Sequence, residues 1–197
     1  MGLLYLKAKE ELLTASSDDC RQFFAENGYK LELAYYNLLH QKIDEARKIF
    51  LSLSQYDIRA HWGAFFSSLC QGKIEGYSSY LELRNFYEID LNILFAYYLG
   101  NYIEEICKYI DWLAVTNPEI YKYTGRVFLK NKYYDFGLYF LERGISSFYN
   151  DPELHYLLAE YYWSVSETEK AVKYLKSCLE VLPEYYPAEK MLKELSK

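Results

Sequence analysis

The chain has 197 residues, of which 51% are hydrophobic and 25% are charged, and this composition excludes an intrinsically disordered protein. Its formal net charge of −6, without a basic cluster, argues against a nucleic-acid-binding protein, because phosphate neutralisation needs a cationic surface. No apolar run approaches the roughly 18 residues that cross a bilayer, so we expect no membrane span and a cytoplasmic location.

Residues 1–26 are predicted to form one or two helices that pack on the rest of the chain. Charged side chains interrupt the apolar residues of segment 1–11 within one turn, which is typical of an amphipathic helix and not of a secretory signal. The N-terminal segment is therefore expected to belong to the folded structure.

About five helix pairs are predicted between residues 27 and 186. Apolar or small residues recur three and four positions apart, which places them on one face of each helix. The first pair begins at Asn27. A second pair is predicted for residues 58–87, with its turn at residues 71–73, and a third begins near Tyr87, with its turn at Asn101 and Tyr102.

The fourth and fifth pairs begin at Pro118 and Pro152, and their spacing predicts a repeat of about 34 residues. Asp151 is the predicted N-cap of the fifth pair, since proline is favoured at the first helical position that follows a cap. Ser166 and Glu169 predict a capping box for the second helix of that pair. A last helix in residues 187–197 is predicted to cap the array with an apolar stripe that includes Ala188, Met191, Leu192 and Leu195.

The fifth pair carries a recognisable pattern of small, aromatic and branched residues. Counted from Pro152, the pattern is formed by Ala159, Tyr162, Ala171, Leu175, Cys178 and Pro183. It resembles the tetratricopeptide repeat (TPR), although His155 stands where the repeat usually has a large aromatic residue. Counted from Pro118, the matches are Gly125, Phe128, Gly137, Leu141 and Gly144. Because Gly137 replaces the usual alanine, we expect its helix to be less stable by about 1 kcal/mol.

The resemblance implies an all-α protein, a right-handed superhelix (α-solenoid) of stacked antiparallel helix pairs. In proteins of this kind the first helices of successive repeats line a concave groove that binds peptides. Carried onto this chain, the groove positions give the following candidates: Tyr35, Trp62, Phe66, Leu91, Phe95, Tyr98, Lys122, Arg126, Tyr156 and Trp163. Packing between repeats is the alternative interpretation for Trp62, Phe66 and Phe95, and a solvated face is the alternative for Lys122 and Arg126.

Catalytic chemistry is not predicted. The three histidines, His40, His61 and His155, are isolated in the sequence, and no nucleophile, phosphate-loop or metal-ligand motif is present, so we expect no enzymatic activity, no metal and no cofactor. The four cysteines, Cys20, Cys70, Cys107 and Cys178, are widely spaced, which indicates small packing residues in a reducing compartment. Oxidation sensing is the alternative.

The predicted function is protein–protein interaction. In the first hypothesis the groove binds a peptide or an amphipathic helix, and Lys122 and Arg126 pair with an acidic group. In the second, the chain self-associates as a scaffolding homodimer. In the third, it is the adaptor arm of a larger enzyme or of a secretion or envelope-assembly system.

Overall fold

The computed structural model describes residues 2–195, and all regular secondary structure within that range is helical. Most helices that are neighbours in the sequence pack against each other. The predicted all-α class is confirmed. The chain divides into two compact units, Met1–Thr116 and Asn117–Lys197.

The first unit contains a succession of short helices. They are α1 (Leu3–Thr14), α2 (Cys20–Glu26), α3 (Lys30–Leu39), α4 (Ile43–Leu53), α5 (Ile58–Cys70), α6 (Tyr80–Glu82), α7 (Glu88–Ala96), α8 (Gly100–Cys107) and α9 (Ile110–Thr116), with a π-helical segment at Leu83–Tyr87. Helices α3 and α4 form a pair, α4 also packs on α5, and α5 packs on α8. Phe24, Phe50 and Trp62 are fully buried in the core of this unit.

The second unit is more regular. Its helices are α10 (Ile120–Lys130), α11 (Tyr134–Ser147), α12 (Pro152–Ser164), α13 (Thr168–Val181) and α14 (Tyr186–Leu195). Helix α10 pairs with α11, α12 pairs with α13, and α14 packs on α13. The last two positions of the predicted final helix, 196 and 197, lie outside the described residues.

The start of α12 has the predicted cap. The side chain of Asp151 accepts hydrogen bonds from the backbone N–H groups of Glu153 and Leu154, and Pro152 is the first residue of the helix. Because the cap uses donors that have no partner within the helix, it stabilises this end of α12. The prediction made for Asp151 is confirmed.

The small residues of the fifth predicted pair lie in the core of the second unit. Ala159, Leu175 and Cys178 are fully buried and form one cluster with Ala188 and Met191 of α14. Small side chains at helix crossings let the two helices approach closely, because cores at crystal-like density have no room for added methyl groups. The pattern that suggested a repeat therefore corresponds to packing positions.

The turns within the helix pairs share one local structure. At the centre of each turn a residue other than glycine adopts left-handed backbone angles, with φ between 55° and 65°. The N–H group of the next residue bonds to the carbonyl five positions earlier, as in Leu99 to Leu94 and Tyr133 to Phe128, which defines a Schellman motif. The central residues are Gln41, Tyr98, Lys132 and Ser166, and the last three are evenly spaced at the interval that separates Pro118 from Pro152.

This turn geometry corrects two sequence predictions. Asn101 and Tyr102 lie inside α8, because the Schellman bonds that end α7 place the turn at residues 97–99. Ser166 is the left-handed residue of its turn, whereas the N-cap of α13 is Glu167, which makes no side-chain cap hydrogen bond. The predicted capping box at Ser166 is therefore wrong.

The region between residues 58 and 96 departs from the predicted repeats. Helix α5 is followed by an irregular segment and then by an uninterrupted helical run from Tyr80 to Ala96, which includes the π-helical segment. The predicted boundary at Tyr87 falls within this run, where Tyr87 is fully buried. The prediction of two regular helix pairs that meet near Tyr87 is therefore wrong.

Two glycines allow α10 and α11 to approach closely. A Cβ atom at Gly125 would lie 2.7 Å from two side-chain carbons of Leu141 and 3.2 Å from the carbonyl oxygen of Gly137. A Cβ atom at Gly137 would lie 2.6 Å from a methyl carbon of Leu129. The expected penalty for glycine at Gly137 is therefore offset by close packing that a larger residue would disrupt.

Candidate functional site

Lys122 of α10 is buried in a cluster of carboxylates. Its Nζ donates to Oδ2 of Asp151 at 2.6 Å and to Oε1 of Glu119 at 3.2 Å, and it lies 3.3 Å from a carboxylate oxygen of Glu153. Burial by itself would lower the pKa of Lys122, but the hydrogen bond with Asp151 and the charges of Asp151, Glu153 and Glu119 raise it above its usual value. Lys122 was predicted to pair with an acidic group of a bound peptide. That prediction is wrong, because Lys122 pairs with carboxylates of its own chain.

Arg126 lies one turn after Lys122 on α10 and is partly accessible. Its Nη2 is 2.8 Å from Oε1 of Glu153 on α12. The ion pair fixes the guanidinium beside α12 while about a third of the side chain, 30%, stays exposed. Of the two predicted cations, only Arg126 is therefore placed to meet an outside molecule.

A pocket of about 400 Å³ lies beside Arg126, between α10 and α12. Two cationic side chains, those of Arg126 and Lys130, contribute to its lining. Leu129 of α10 also lines the pocket, and contacts from the start of α11 and from α12 include Tyr134, Leu157, Glu160 and Trp163. The indole of Trp163 is 49% exposed although it is a large apolar group. Arginine, tyrosine and tryptophan are the residues that most often dominate the energy of protein interfaces.

Glu160 contributes a carboxyl group to the pocket. Burial raises the pKa of Glu160, while the hydrogen bond with Tyr156 and the positive charge of Arg126 act in the opposite direction. Tyr156, another predicted groove residue, is half-buried, and its ring lies 5.5 Å from that of Tyr185. Tyr156 does not line the pocket, but its hydrogen bond with Glu160 helps to orient that carboxyl group.

In the first unit, three of the predicted groove residues are core residues. Trp62, Phe66 and Leu91 are 0%, 1% and 0% exposed. The ring of Trp62 stacks on Phe66 with 5.4 Å between centroids, and its Nε1 donates to Asp90 at 2.6 Å. The prediction that these residues line an open groove is wrong. The alternative stated for Trp62 and Phe66, that they pack in the core, agrees with their burial.

The remaining predicted residues of the first unit lie in three different settings. Tyr35 is mostly buried, and its hydroxyl donates to Asp90 at 3.1 Å. Phe95 is half-buried on α7. Tyr98 is 94% exposed but lies in the turn after α7 and not on the helix face for which it was predicted. The structure thus does not bring these side chains together into one groove surface.

Sequence reasoning missed part of the pocket lining. Lys130 and Tyr134 lie on either side of the turn between α10 and α11, and Leu157 lies on α12. The usual groove positions of the repeat lie only on first helices, so a residue of α11 was not considered. The position of Tyr134 immediately after a recurrent turn was the signal that was available in the sequence.

A serine, a histidine and a glutamate meet in the first unit, but not in a nucleophilic arrangement. Nδ1 of His61 is 2.5 Å from one oxygen of Glu82, and Oγ of Ser79 donates to the other at 2.7 Å. The serine hydroxyl therefore faces the carboxylate and not an imidazole nitrogen that would accept its proton. Ser79 and Glu82 form the capping box of α6.

The cysteines behave as packing residues. Cys20, Cys70 and Cys178 are buried free thiols, and Cys107 is half-buried. Burial raises the pKa of Cys107 to about 12 and that of Cys178 to about 11, and nearby acidic charges act in the same direction. Since the thiolate is the reactive form, these values favour packing over oxidation sensing. Within residues 2–195 no cluster of three or more histidine, cysteine or acidic side chains is arranged to hold a metal ion.

None of the helices in the described part of the chain has both the length and the apolar character required to cross a bilayer.

Comparisons with protein-family models, with curated proteins and with solved structures find no match for this chain.

Proposed function

We propose that the chain is a non-enzymatic protein-interaction module that binds a peptide or a helix in the pocket between α10 and α12. The single observation that carries this proposal is the pocket lined by Arg126, Lys130, Tyr134 and a half-exposed Trp163. Half-exposed aromatic side chains beside cations are typical of interface anchors, because they desolvate readily and offer directed hydrogen bonds.

We further propose that the helix pairs are TPR-like repeats of the right-handed α-solenoid class. Two observations support this. The turns centred on Tyr98, Lys132 and Ser166 have the same Schellman geometry and are evenly spaced along the chain. Small residues that include Ala159 and Cys178 are fully buried at positions where the repeat requires them. The pocket lies between α10 and α12, the first helices of two consecutive pairs. In proteins with such repeats, the first helices face the bound peptide.

The pocket favours a partner that combines an acidic group with an apolar side chain. Arg126 and Lys130 contribute two positive charges to the lining, whereas burial raises the pKa of the Glu160 carboxyl group and the hydrogen bond with Tyr156 acts in the opposite direction. An acidic side chain of the partner would pair with the cations, and an apolar side chain would pack on Trp163.

Peptide display on the immobilised full chain tests the proposal. We expect it to select peptides with this pairing of an acidic and an apolar residue. Binding of a selected peptide should weaken by about tenfold or more in Trp163→Ala, because the anchor is lost. Tyr56→Ala is the matched control, since Tyr56 is an exposed aromatic residue that does not line the pocket. Equal binding by Trp163→Ala and the wild type would refute the proposed site.

Self-association is a second candidate that one observation favours. Leu3, Leu4 and Leu6 of α1 are exposed leucines on one short helix, and exposed apolar clusters often mark interfaces. Native mass spectrometry over a range of concentrations separates the two functions. A monomer is expected if the pocket alone carries the function, and a dimer that dissociates in Leu3→Ser/Leu6→Ser would support self-association through α1.

A further inference from the structure

Helix α1 turns one face away from the rest of the first unit. Its buried residues, Tyr5, Ala8 and Leu12, lie on the opposite face. Because an α-helix has about 3.6 residues per turn, the outward face of α1 is formed by the exposed residues Leu3, Leu6, Lys7, Glu10, Leu13 and Thr14. The three leucines are 83%, 53% and 41% exposed, in chain order. The outward face therefore carries apolar side chains that the unit itself does not cover.

Two opposite charges lie at the centre of the outward face, between its apolar ends. Lys7 and Glu10 are neighbours on the helix surface, because they are separated by about one turn. The side chain of Lys7 is 73% exposed, and its Nζ lies 3.7 Å from a carboxylate oxygen of Glu11, a contact that contributes little in water. Glu10 is exposed and forms no ion pair with the residues that the structure describes. Both charges are thus accessible to an outside molecule.

A bilayer surface does not match this charge pattern. Amphipathic helices that bind membranes keep the inserted side apolar, because a charge that loses water without gaining a partner is costly. In α1, Lys7 and Glu10 lie at the centre of the side that would insert. The two lysines and two glutamates of α1 also cancel, so anionic lipids would not attract the helix. A fitting partner brings a negative charge to Lys7 and a positive charge to Glu10.

A second copy of α1 brings both charges at once. In an antiparallel pair whose two-fold axis passes between residues 8 and 9, Lys7 lies level with Glu10 of the second copy. The same rotation repeats this contact with the roles exchanged, as in any two-fold interface. A parallel pair in register would instead place Lys7 against Lys7 and Glu10 against Glu10, and like charges repel. The charge pattern is therefore self-complementary in the antiparallel direction only.

The same pairing brings leucines together at both ends of the contact. Leu13 of the second copy lies level with the space between Leu3 and Leu6, and a side chain that enters such a space is the packing seen in coiled coils. Since α1 has 12 residues and is about 18 Å long, the contact is small beside the roughly 1,200 Å² of total surface that stable interfaces bury. We therefore expect a weak dimer that dissociates on dilution.

We propose that two copies of this chain associate through an antiparallel contact between their α1 helices, in which Lys7 of each copy pairs with Glu10 of the other. This inference rests on the second candidate function, self-association through α1. It adds the direction of the contact and the charge pairs that specify it, because opposite charges across an interface select the register as well as the partner.

Charge reversal in the full chain tests the pairing. In the homodimers of Lys7→Glu and of Glu10→Lys, like charges face each other twice, so each variant should dimerise at least about tenfold more weakly than the wild type. When the two variants are mixed, every charge again faces an opposite charge, and the heterodimer should form about as tightly as the wild-type dimer. Sedimentation equilibrium measures the dissociation constants between about 1 μM and 1 mM. Native mass spectrometry with one variant isotope-labelled identifies the heterodimer.

Lys173→Glu and Glu180→Lys are the matched controls, because both residues are exposed on α13. These variants should dimerise as the wild type does, and thermal unfolding checks that all four variants are folded. A wild-type dimer that neither α1 reversal weakens, or one that mixing does not restore, overturns the proposed pairing but leaves self-association itself in place. A wild-type chain that stays monomeric up to about 1 mM overturns both. Neither result bears on the peptide pocket, since Lys7 and Glu10 do not line it.

Discussion

Nζ of Lys122 on α10 lies 2.6 Å from Oδ2 of Asp151, and the other oxygen of the same carboxylate caps α12. One side chain thus satisfies the start of a helix and binds a cation from the preceding pair. Because the carboxylate serves both purposes, its bond with Lys122 fixes the start of α12 with respect to α10. These two helices border the pocket.

Replacing Lys122 with methionine should destabilise the protein. Lys122→Met keeps most of the side-chain volume but leaves Asp151, Glu153 and Glu119 close together without their shared cation. We expect the free energy of unfolding to fall by about 2–4 kcal/mol, as for other broken buried ion pairs. Urea denaturation measures the change. Lys130→Met is the control, since Lys130 is exposed, and an equal loss in both variants would contradict a special role for Lys122.

The contribution of Lys122 should depend on pH in a defined direction. Its pKa is raised in the folded protein relative to the ordinary value of 10.5. A raised pKa means that the stabilisation is fully present below the unfolded pKa and is lost as the pH rises through the folded pKa. The difference in unfolding free energy between wild type and Lys122→Met should therefore be constant from about pH 7 to 9 and shrink above about pH 10.5. A difference that grows in that alkaline range would contradict the assignment.

Gly125→Ala tests the close approach of α10 and α11. Alanine has the higher helix propensity, so a solvent-exposed glycine would gain up to about 1 kcal/mol from the change. At Gly125 the new methyl group would meet Leu141 and a backbone oxygen, and we expect a net loss of about 1–2 kcal/mol. Gly100→Ala is the matched control, because nothing lies within 4 Å of a Cβ there, and it should be neutral or stabilising. Thermal unfolding of both variants is the measurement.

Trp62→Ala should act on stability and not selectively on binding. The substitution leaves a large cavity beside Phe66 and removes one donor from Asp90, so we expect a loss of about 3–5 kcal/mol. The exposed aromatic residue Trp112 gives a comparison within the same unit, and Trp112→Ala should cost less. A folded Trp62→Ala protein of wild-type stability that has lost peptide binding would restore the groove interpretation of Trp62.

The sequence predictions depend on local signals and on contacts between distant residues. Local signals succeeded at one helix start and failed at another: Asp151 and Pro152 start α12 as predicted, whereas Ser166 is the left-handed residue of its turn and does not cap α13. The spacing of Pro118 and Pro152 led to the regular pairs of the second unit. Prediction failed where contacts join distant positions, as for Trp62, whose burial depends on Asp90, a residue 28 positions away.

The pocket was predicted in part for the same reason. Arg126 and Trp163 were predicted to line a groove, since groove positions follow the helical period, and both line the pocket between α10 and α12. Burial of Lys122 depends on three carboxylates brought together by the fold, which no helical periodicity reveals. Likewise, the irregular segment before Tyr80 shifted the helix boundaries of the first unit away from the register of the repeats.

Fluorine NMR of the protein labelled with 5-fluorotryptophan tests the central claim most directly. The chain has 3 tryptophans, and Trp163→Phe assigns the signal of the residue in the pocket. When a display-selected peptide is added, we predict that the Trp163 signal shifts with saturation while the signal of the buried Trp62 stays in place. A peptide that binds while the Trp163 signal is unchanged, or that moves only the signals of Trp62 and Trp112, would contradict binding in the pocket between α10 and α12.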